Sequence, residues 1–257
     1  IYGALVAMVQ PDIKKLVAYS SVSHMGYVLI GLFAMNEYGV NGSLYQMLNH
    51  GVSTGALFLL VGMIYERTHS REIEKYGGLA GVLPIFSVFF FIVTLSSIAV
   101  PMTNGFIGEY LILLGTFSFD KVFGGLAVSG VVLGAVYMLW MYKRVFFGAK
   151  GELVKDEHHP LHDLNWREIT VMLPLVLMIF WMGLFPNHFL DYSKTSIDYL
   201  IKNKDNYTLM TVGQNAPAVN TLPATPAATP EVASPEVSTD TNTTTNPADD
   251  ATTKGDN

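Results

Sequence analysis

The chain has 257 residues, of which 50% are hydrophobic and only 14% charged, and its formal net charge is −6. It contains no cysteine, which excludes disulfides, thiolate catalysis and cysteine-held clusters. It also has no basic run of the kind that binds nucleic acid, and no GxGxxG, P-loop or serine triad.

Apolar runs dominate the first three quarters of the chain, and several approach the roughly 20 residues that cross a bilayer. The opening "IYGALVAMVQ" is already apolar, so we expect the sequence to start inside a membrane helix. Hydropathy and turn residues predict spans at about 1–10, 13–35, 43–65, 83–117, 122–147 and 168–189. The predicted fold is therefore all-α: a polytopic transmembrane helical bundle over residues 1–192, with about six spans.

Basic residues in the loops predict the orientation of these spans. One side receives most of the lysines and arginines, including Lys14, Arg67 and Lys150, whereas the short loops of the other side carry only Lys121. By the positive-inside rule, the basic loops face the cytoplasm. This bias holds only if the tract 83–117 crosses once.

Residues 193–257 differ in composition from the rest. They are mostly Thr, Ala, Pro, Asp, Asn, Val and Ser, which bury too little apolar surface to offset the entropy lost on ordering. We predict a disordered tail on the extracytoplasmic side, the periplasm of a Gram-negative cell. Within "DTNTT", Asn242 matches an extended bacterial glycosylation sequon, although coincidence in a threonine-rich tail is the simpler interpretation.

Two histidines fall deep within predicted spans. His24 lies about 15 Å along its helix from Lys14, with Ser20 one turn earlier on the same face. His50 has Gln46 and Thr54 one turn before and after it. Ionisable groups at this depth are costly and usually mark a pathway, and imidazole titrates near neutral pH. A packing role for each histidine, through hydrogen bonds to neighbouring helices, is the alternative.

The stretch "AVPMTNGFIGEYLILLGTF" places a helix break next to a carboxylate. Pro101, Asn104 and Gly105 disfavour a continuous helix, and Glu109 follows one turn later. Broken helices at membrane depth survive inside protein or beside water, as at the ion sites of transporters. We therefore predict that Glu109 lines a hydrated proton route, with Lys143 as a supporting polar group at its mouth.

Three segments carry a family resemblance. "DIKKLVAYSSVSHMGYV", "QMLNHGVSTGALFLLVGMIYERTHSR" and "NGFIGEYLILLGTF" resemble the antiporter-like M subunit of bacterial NADH:quinone oxidoreductase, which is homologous to subunit 4 of mitochondrial NADH dehydrogenase. The resemblance runs from residue 1 to about 192. It implies roughly the last six of 14 helices, with the family's glutamate and lysines of earlier helices upstream of Ile1.

The resemblance also implies a function. His24 and His50 match the histidines of the family's hydrophilic axis, and Glu109 matches its terminal glutamate on the broken helix. The expected protein is a subunit of an enzyme complex that couples quinone reduction to proton translocation, in the bacterial inner membrane. Its expected partners are other membrane-arm subunits, lipid and protons, and no cofactor, metal or redox centre is expected in this chain. A cation/proton antiporter subunit without a redox partner and a purely structural scaffold are the alternatives.

Overall fold

The computed structural model of the protein describes residues 1–155 and 161–203. All regular elements in these ranges are helical, which confirms the predicted all-α class. The helices are α1 (Tyr2–Met8), α2 (Ile13–Phe33), α3 (Glu37–Thr68), α4 (Pro84–Ser97), α5 (Asn104–Phe119), α6 (Lys121–Phe146), α7 (Glu152–Lys155), α8 (Trp166–Leu184) and α9 (Asn187–Lys202). Short 3₁₀ turns occupy Ile73–Lys75 and Leu79–Gly81. By length and hydropathy, α2, α3, α6 and α8 are each able to cross a membrane.

The third helix begins earlier than hydropathy predicts, at Glu37 rather than about residue 43. Asn36 is the reason, because its side-chain oxygen accepts a hydrogen bond from the backbone N–H of Gly39 at 2.9 Å. The Asn36 amide also donates to the carbonyl of Gly115 on α5 at 2.7 Å. The same residue therefore starts α3 and ties it to its neighbour.

The end of the bundle differs from the prediction. The last span was expected over 168–189, but α8 ends at Leu184 and α9 begins at Asn187, after Pro186. Residues 193–202, predicted to be disordered, are helical because α9 is amphipathic: Ile197 is buried, and the Phe189 ring lies 6.4 Å from that of Tyr45 on α3. Residues 204–257, including Asn242, lie outside the described ranges.

The predicted break is present, but it lies slightly upstream of its expected position. Helix α4 ends at Ser97, and α5 begins at Asn104, so Asn104 and Gly105 are already helical rather than part of the gap. Ala99 and Met102 in the gap have φ of 57° and 76°, values that residues with a side chain rarely adopt. Gly105 is required, since a Cβ there would lie 2.2 Å from the Ser96 carbonyl oxygen.

Helices α4 and α5, the two halves of the broken tract, both pack against α3. A Cβ at Gly115 would lie 2.4 Å from the Gly39 nitrogen, and one at Gly42 would lie 2.6 Å from the Ile112 nitrogen. Further along α3, the Ser53 hydroxyl lies 2.7 Å from that of Ser96 at the end of α4. Residues later in α3 thus contact residues earlier in α5 and then residues of α4. This antiparallel order is the one expected for a single broken crossing, with the gap facing the middle of α3.

The loops that carry most of the basic residues meet at one end of the bundle, hereafter the basic end. The Ile13 N–H donates to the Arg71 carbonyl at 2.9 Å, and the Arg67 guanidinium contacts Glu168 at 2.6 Å. Burial raises the pKa of the Tyr76 phenol, whose hydroxyl donates to the Ser70 carbonyl at 2.6 Å. These contacts join the loops before α2, α4 and α8, so the basic loops share one face as the charge bias predicted.

Apolar packing fills the half of the bundle next to the basic end. The main buried cluster takes side chains from α1, α2, α3, α4, α6 and α8. At the centre of this cluster, the Phe146 ring lies 5.0 Å from the ring of Phe90 and 4.4 Å from the ring of Tyr142, measured between ring centres. The buried polar side chains concentrate instead at the level of the helix break.

Candidate functional site

Glu109 is buried between three helices. Its side chain extends from the second turn of α5, and the residue is only 4% exposed. Its carboxylate oxygen Oε1 lies 3.2 Å from Nδ1 of His24 on α2 and accepts a hydrogen bond from Nε2 of Gln46 on α3 at 3.3 Å. The acid therefore has two polar partners, as burial at this depth requires.

His24 stands between Glu109 and His50. The His24 and His50 rings are 5.6 Å apart, and Thr54 Oγ1 lies 3.1 Å from Nδ1 of His50. Within the described residues, Nε2 of His24 is buried without a hydrogen-bond partner. The predicted histidines and the acid thus form one series, in the order His50, His24, Glu109.

Of the supporting residues, Ser20 bonds within its own helix, and Lys143 lies at the basic end, where its role at the mouth of the proton route stays a prediction. The Ser20 hydroxyl donates to the Val17 carbonyl at 2.7 Å, a bond within its own helix, instead of contacting the His24 imidazole. Lys143 is exposed in the last turn of α6 at the basic end, where it lines a groove with Trp140 and Arg144. Gln46 contacts Glu109 rather than His50, whereas Thr54 contacts His50 as expected.

A polar network closes the helix break, and it joins the predicted residues Gln46 and Asn104 to three that were not predicted, which are Asn49, Ser53 and Ser96. Asn49 Nδ2 donates to the Asn104 carbonyl at 2.8 Å and to Gln46 Oε1 at 3.3 Å. The Asn104 side chain is fully buried and hydrogen-bonds with the hydroxyls of Ser53 and Ser96. Helical spacing was the available signal, because Gln46, Asn49 and Ser53 follow one another by three and four residues on one face of α3.

A small cavity adjoins the other side of the His24–Glu109 pair. Its volume is about 10 Å³, close to the lower limit for one water molecule. Ser23, Tyr27, Ser97 and Tyr137 contribute to its lining, and none of them was predicted as a site residue. The sequence signal for this contact was the spacing of Gly130 and Gly134 on α6, because small residues four apart allow a neighbouring helix to approach closely.

The arrangement is suited to proton transfer. At 3.2 Å, one proton shared by the pair sits either on Nδ1 of His24 or on the carboxyl group of Glu109. The second imidazole nitrogen of His24 is available to exchange a proton with another group, and His50 is the nearest ring. No cluster of His, Asp or Glu able to hold a metal occurs in residues 1–155 and 161–203.

A bundle of apolar helices with a buried acid–histidine pair beside a broken helix defines a polytopic membrane protein with an ionisable site at mid-depth. Comparison with known families makes the assignment specific. The family model described as "NADH:quinone oxidoreductase/Mrp antiporter, TM" matches residues 1–134, and the chain belongs to this family.

Curated relatives confirm the resemblance to subunit M. The chain is 48% identical over 201 residues to NADH-quinone oxidoreductase subunit M of Rickettsia prowazekii, covering 78% of this chain and 40% of the relative. It is 44% identical over 203 residues to NADH-ubiquinone oxidoreductase chain 4 of Arabidopsis thaliana, covering 79% of this chain and 40% of the relative. The chain thus spans about 40% of the length of these relatives.

Solved structures show the same fold. Respiratory complex I from Thermus thermophilus contains a chain with a TM-score of 0.73 and 35% identity, over 78% of this chain and 42% of that one. The Mrp complex from Dietzia sp. contains one with a TM-score of 0.70 over 78% of this chain and 45% of that one, but with 21% identity. The second likeness shows the fold alone.

Proposed function

We propose that this chain forms part of a membrane-arm subunit of a proton-pumping NADH:quinone oxidoreductase. The identities of 44–48% to subunit M and chain 4 relatives support the assignment. In this proposal the subunit is embedded in a bacterial inner membrane, contacts other membrane-arm subunits and lipid, and carries protons. The chain itself supplies no redox centre and binds no cofactor.

The observation that carries the proposal is the buried contact between His24 Nδ1 and Glu109 Oε1 at 3.2 Å. A proton crosses such a hydrogen bond without either side chain moving far. Because the pair is buried, a charge that appears or disappears nearby changes the relative energies of the two proton positions strongly. The pair is therefore able to respond to charge changes elsewhere in the complex.

The proposed route runs from His50 through His24 to Glu109. Thr54, one turn along α3, hydrogen-bonds with the His50 ring, and Gln46 donates a hydrogen bond to one oxygen of the Glu109 carboxylate. Rotation of an imidazole is needed to bridge the 5.6 Å between the two rings, either directly or through water. Glu109 then alternates between protonated and ionised forms and releases its proton towards the end opposite the basic loops.

A cation/proton antiporter subunit with no redox partner is the second candidate. The family description also names the Mrp antiporter, but the likeness to the Mrp complex is at 21% identity and shows the fold alone, against 44–48% identity for the oxidoreductase relatives. Isolation of the full-length protein from its native membrane discriminates the two. Co-purification of NADH-oxidising activity supports the first candidate, and its absence from an intact assembly supports the second.

Substitution in the full-length protein within its assembled complex tests the route. We expect Glu109→Gln and His24→Ala to remove most proton translocation through this subunit and to slow coupled quinone reduction. Ser129→Ala is the matched control, because this exposed hydroxyl only bonds to Leu126 in its own helix. If both variants pumped and reduced quinone at wild-type levels while the complex stayed intact, the proposed route would be wrong.

A further inference from the structure

A chain of hydrogen bonds runs from the start of α5, across two amide side chains of α3, to the carboxylate of Glu109. Asn49 Nδ2 donates to the Asn104 carbonyl at 2.8 Å and to Gln46 Oε1 at 3.3 Å. Gln46 Nε2 in turn donates to Glu109 Oε1 at 3.3 Å. All four residues are buried, so bulk water does not compete for these bonds.

The direction of this chain is set by its first acceptor. A main-chain carbonyl has no hydrogen to donate, so Asn49 must turn its NH₂ group, and not its oxygen, towards Asn104. The second hydrogen of the same NH₂ group goes to Gln46, which must therefore accept it through Oε1. The NH₂ group of Gln46 is then left to donate to Glu109.

The oxygen of the Asn49 amide supports this direction. Among the described residues, Asn49 Oδ1 is buried without a hydrogen-bond partner. A buried acceptor without a partner raises the free energy of the folded state. Turning the amide over would not remove this cost, because it would place Oδ1 against two other oxygens, those of Asn104 and Gln46. The amide therefore keeps the orientation in which its donors are used.

Packing against α5 leaves the two amides little room to rotate. Gly108 lies next to them, and a Cβ there would be 2.3 Å from Gln46 Oε1 and 2.9 Å from Asn49 Nδ2. Gln46 and Asn49 are three residues apart on α3, so both lie on the helix face that meets Gly108. The backbone of α5 therefore keeps the two amides in contact with each other.

We propose that Asn49 is a positioning residue that orients the Gln46 amide, so that Glu109 receives an N–H group from α3 and not a carbonyl oxygen. Without Asn49, either end of the Gln46 amide is able to face the acid, because the two ends have nearly the same shape. Since Oε1 of Glu109 already accepts this N–H bond, the proton of the acid–histidine pair is favoured on Nδ1 of His24. The inference rests on the proposed function, because it assigns a direction to the hydrogen bonds at the last residue of the route.

Infrared spectroscopy of the intact complex tests the orientation of Gln46. Difference spectra between acidic and alkaline solution contain the C=O band of the protonated Glu109 side chain, which is identified by its loss in Glu109→Gln. The frequency of this band depends on the hydrogen bonds that the carboxyl group receives. Gln46→Met removes the donor but keeps the length of the side chain, so we expect it to shift the band.

Substitution of Asn49 gives the decisive comparison. Leucine has nearly the shape of asparagine but no donor, so in Asn49→Leu the Gln46 amide loses its fixed orientation, and the band shifts in the same direction as in Gln46→Met. We expect no further shift when both substitutions are combined, because Asn49 acts through Gln46. Ser53→Ala is the matched control and leaves the band in place, since Ser53 bonds to the side-chain amide of Asn104 one turn further along α3.

The proposal is overturned if Asn49→Leu leaves the band at its wild-type frequency, if the two substitutions shift it additively, or if Ser53→Ala shifts it equally. Should Asn49→Leu prevent assembly of the complex, Asn49→Ala removes the amide without adding bulk and gives the same comparison. The spectra compare two pH values and do not require turnover. Wild-type pumping by Glu109→Gln would therefore contradict the proposed function and leave the role of Asn49 standing, whereas an unmoved band would do the reverse.

Discussion

Glu109 and His24 lie far apart in the sequence, yet their side chains meet 3.2 Å apart in a part of the bundle that excludes most of the solvent. Each satisfies a polar atom of the other, and Gln46 satisfies the carboxylate further. A buried polar group without a hydrogen-bond partner raises the free energy of the folded state, so the site is stable only when Glu109, His24 and Gln46 are all present. Function and local stability are thus coupled at the level of single side chains.

Asn104 provides a prediction at this scale. Its fully buried amide links Asn49, Ser53 and Ser96 across the helix break. We expect Asn104→Ala to destabilise the folded protein by about 1–3 kcal/mol, because several buried polar groups lose a partner. Thermal unfolding of the full-length protein measures this, with Asn41→Ala as control, since Asn41 bonds only to the Glu37 carbonyl one turn away. Equal melting temperatures for the two variants would contradict the account.

At the scale of elements, the contact between α3 and α5 is set by glycines. A Cβ at Gly42 would lie 2.6 Å from the Ile112 backbone nitrogen, and one at Gly108 would lie 2.3 Å from Gln46 Oε1. Such close backbone approach lets polar side chains on the two helices reach each other, as is common between membrane helices. The glycines therefore bring Glu109 within reach of α3.

Gly42→Ala tests this packing. The methyl group cannot be accommodated without separating the helices, and overpacking of this kind costs about 1–3 kcal/mol. Gly51→Ala on the same helix is the matched control: its Cβ would meet nothing within 4 Å among the described residues, so helix propensity predicts a neutral or slightly stabilising effect. Thermal unfolding of both variants checks the difference, and equal destabilisation would argue against close packing at Gly42.

Helix α4 receives its cap from a distant loop. The Asp163 carboxylate accepts hydrogen bonds from the N–H groups of Ile85 at 2.8 Å and Phe86 at 3.0 Å. We expect Asp163→Ala to cost about 0.5–2 kcal/mol, the usual range for loss of a helix cap. Asp163→Asn keeps one acceptor oxygen and should lose less in thermal unfolding. A larger loss for asparagine than for alanine would show that the carboxylate does not act as this cap.

At the scale of the whole molecule, charge and hydropathy were sufficient to predict the helical bundle, and Pro101, Asn104 and Gly105 predicted the break. The spans follow from apolar runs, and the single crossing of 83–117 follows from the loop charges, in agreement with the order of contacts along α3. The sequence also singled out His24, His50 and Glu109. Their order along the series was not predicted, because helix rotation and packing depth, which make His24 the middle residue, cannot be read from one sequence.

The other misses have similar physical causes. Ser20 bonds to its own backbone, an option open to every serine in a helix. Helix α9 has a mixed composition, so its amphipathic pattern was hidden by polar residues next to the low-complexity tail.

The sidedness of the bundle gives a prediction at this scale. Glu37 lies in the first turn of α3 and Lys150 lies in a loop at the basic end, and both are exposed. We expect the thiols of Glu37→Cys and Lys150→Cys to react with an impermeant reagent from opposite faces of the membrane. Lys150 should face the cytoplasm, by the positive-inside rule. Labelling of both from one face would refute the predicted crossing pattern.

The most direct test of the central claim is to observe the protonation of Glu109 during turnover. Infrared difference spectroscopy of the intact complex detects the C=O stretch of a carboxylic acid that gains or loses its proton. We predict a carboxylic-acid band that changes on addition of NADH and quinone, and that disappears in Glu109→Gln while persisting in Ser129→Ala. An identical difference spectrum in Glu109→Gln would mean that Glu109 does not change its protonation state, and the proposed proton route would fail.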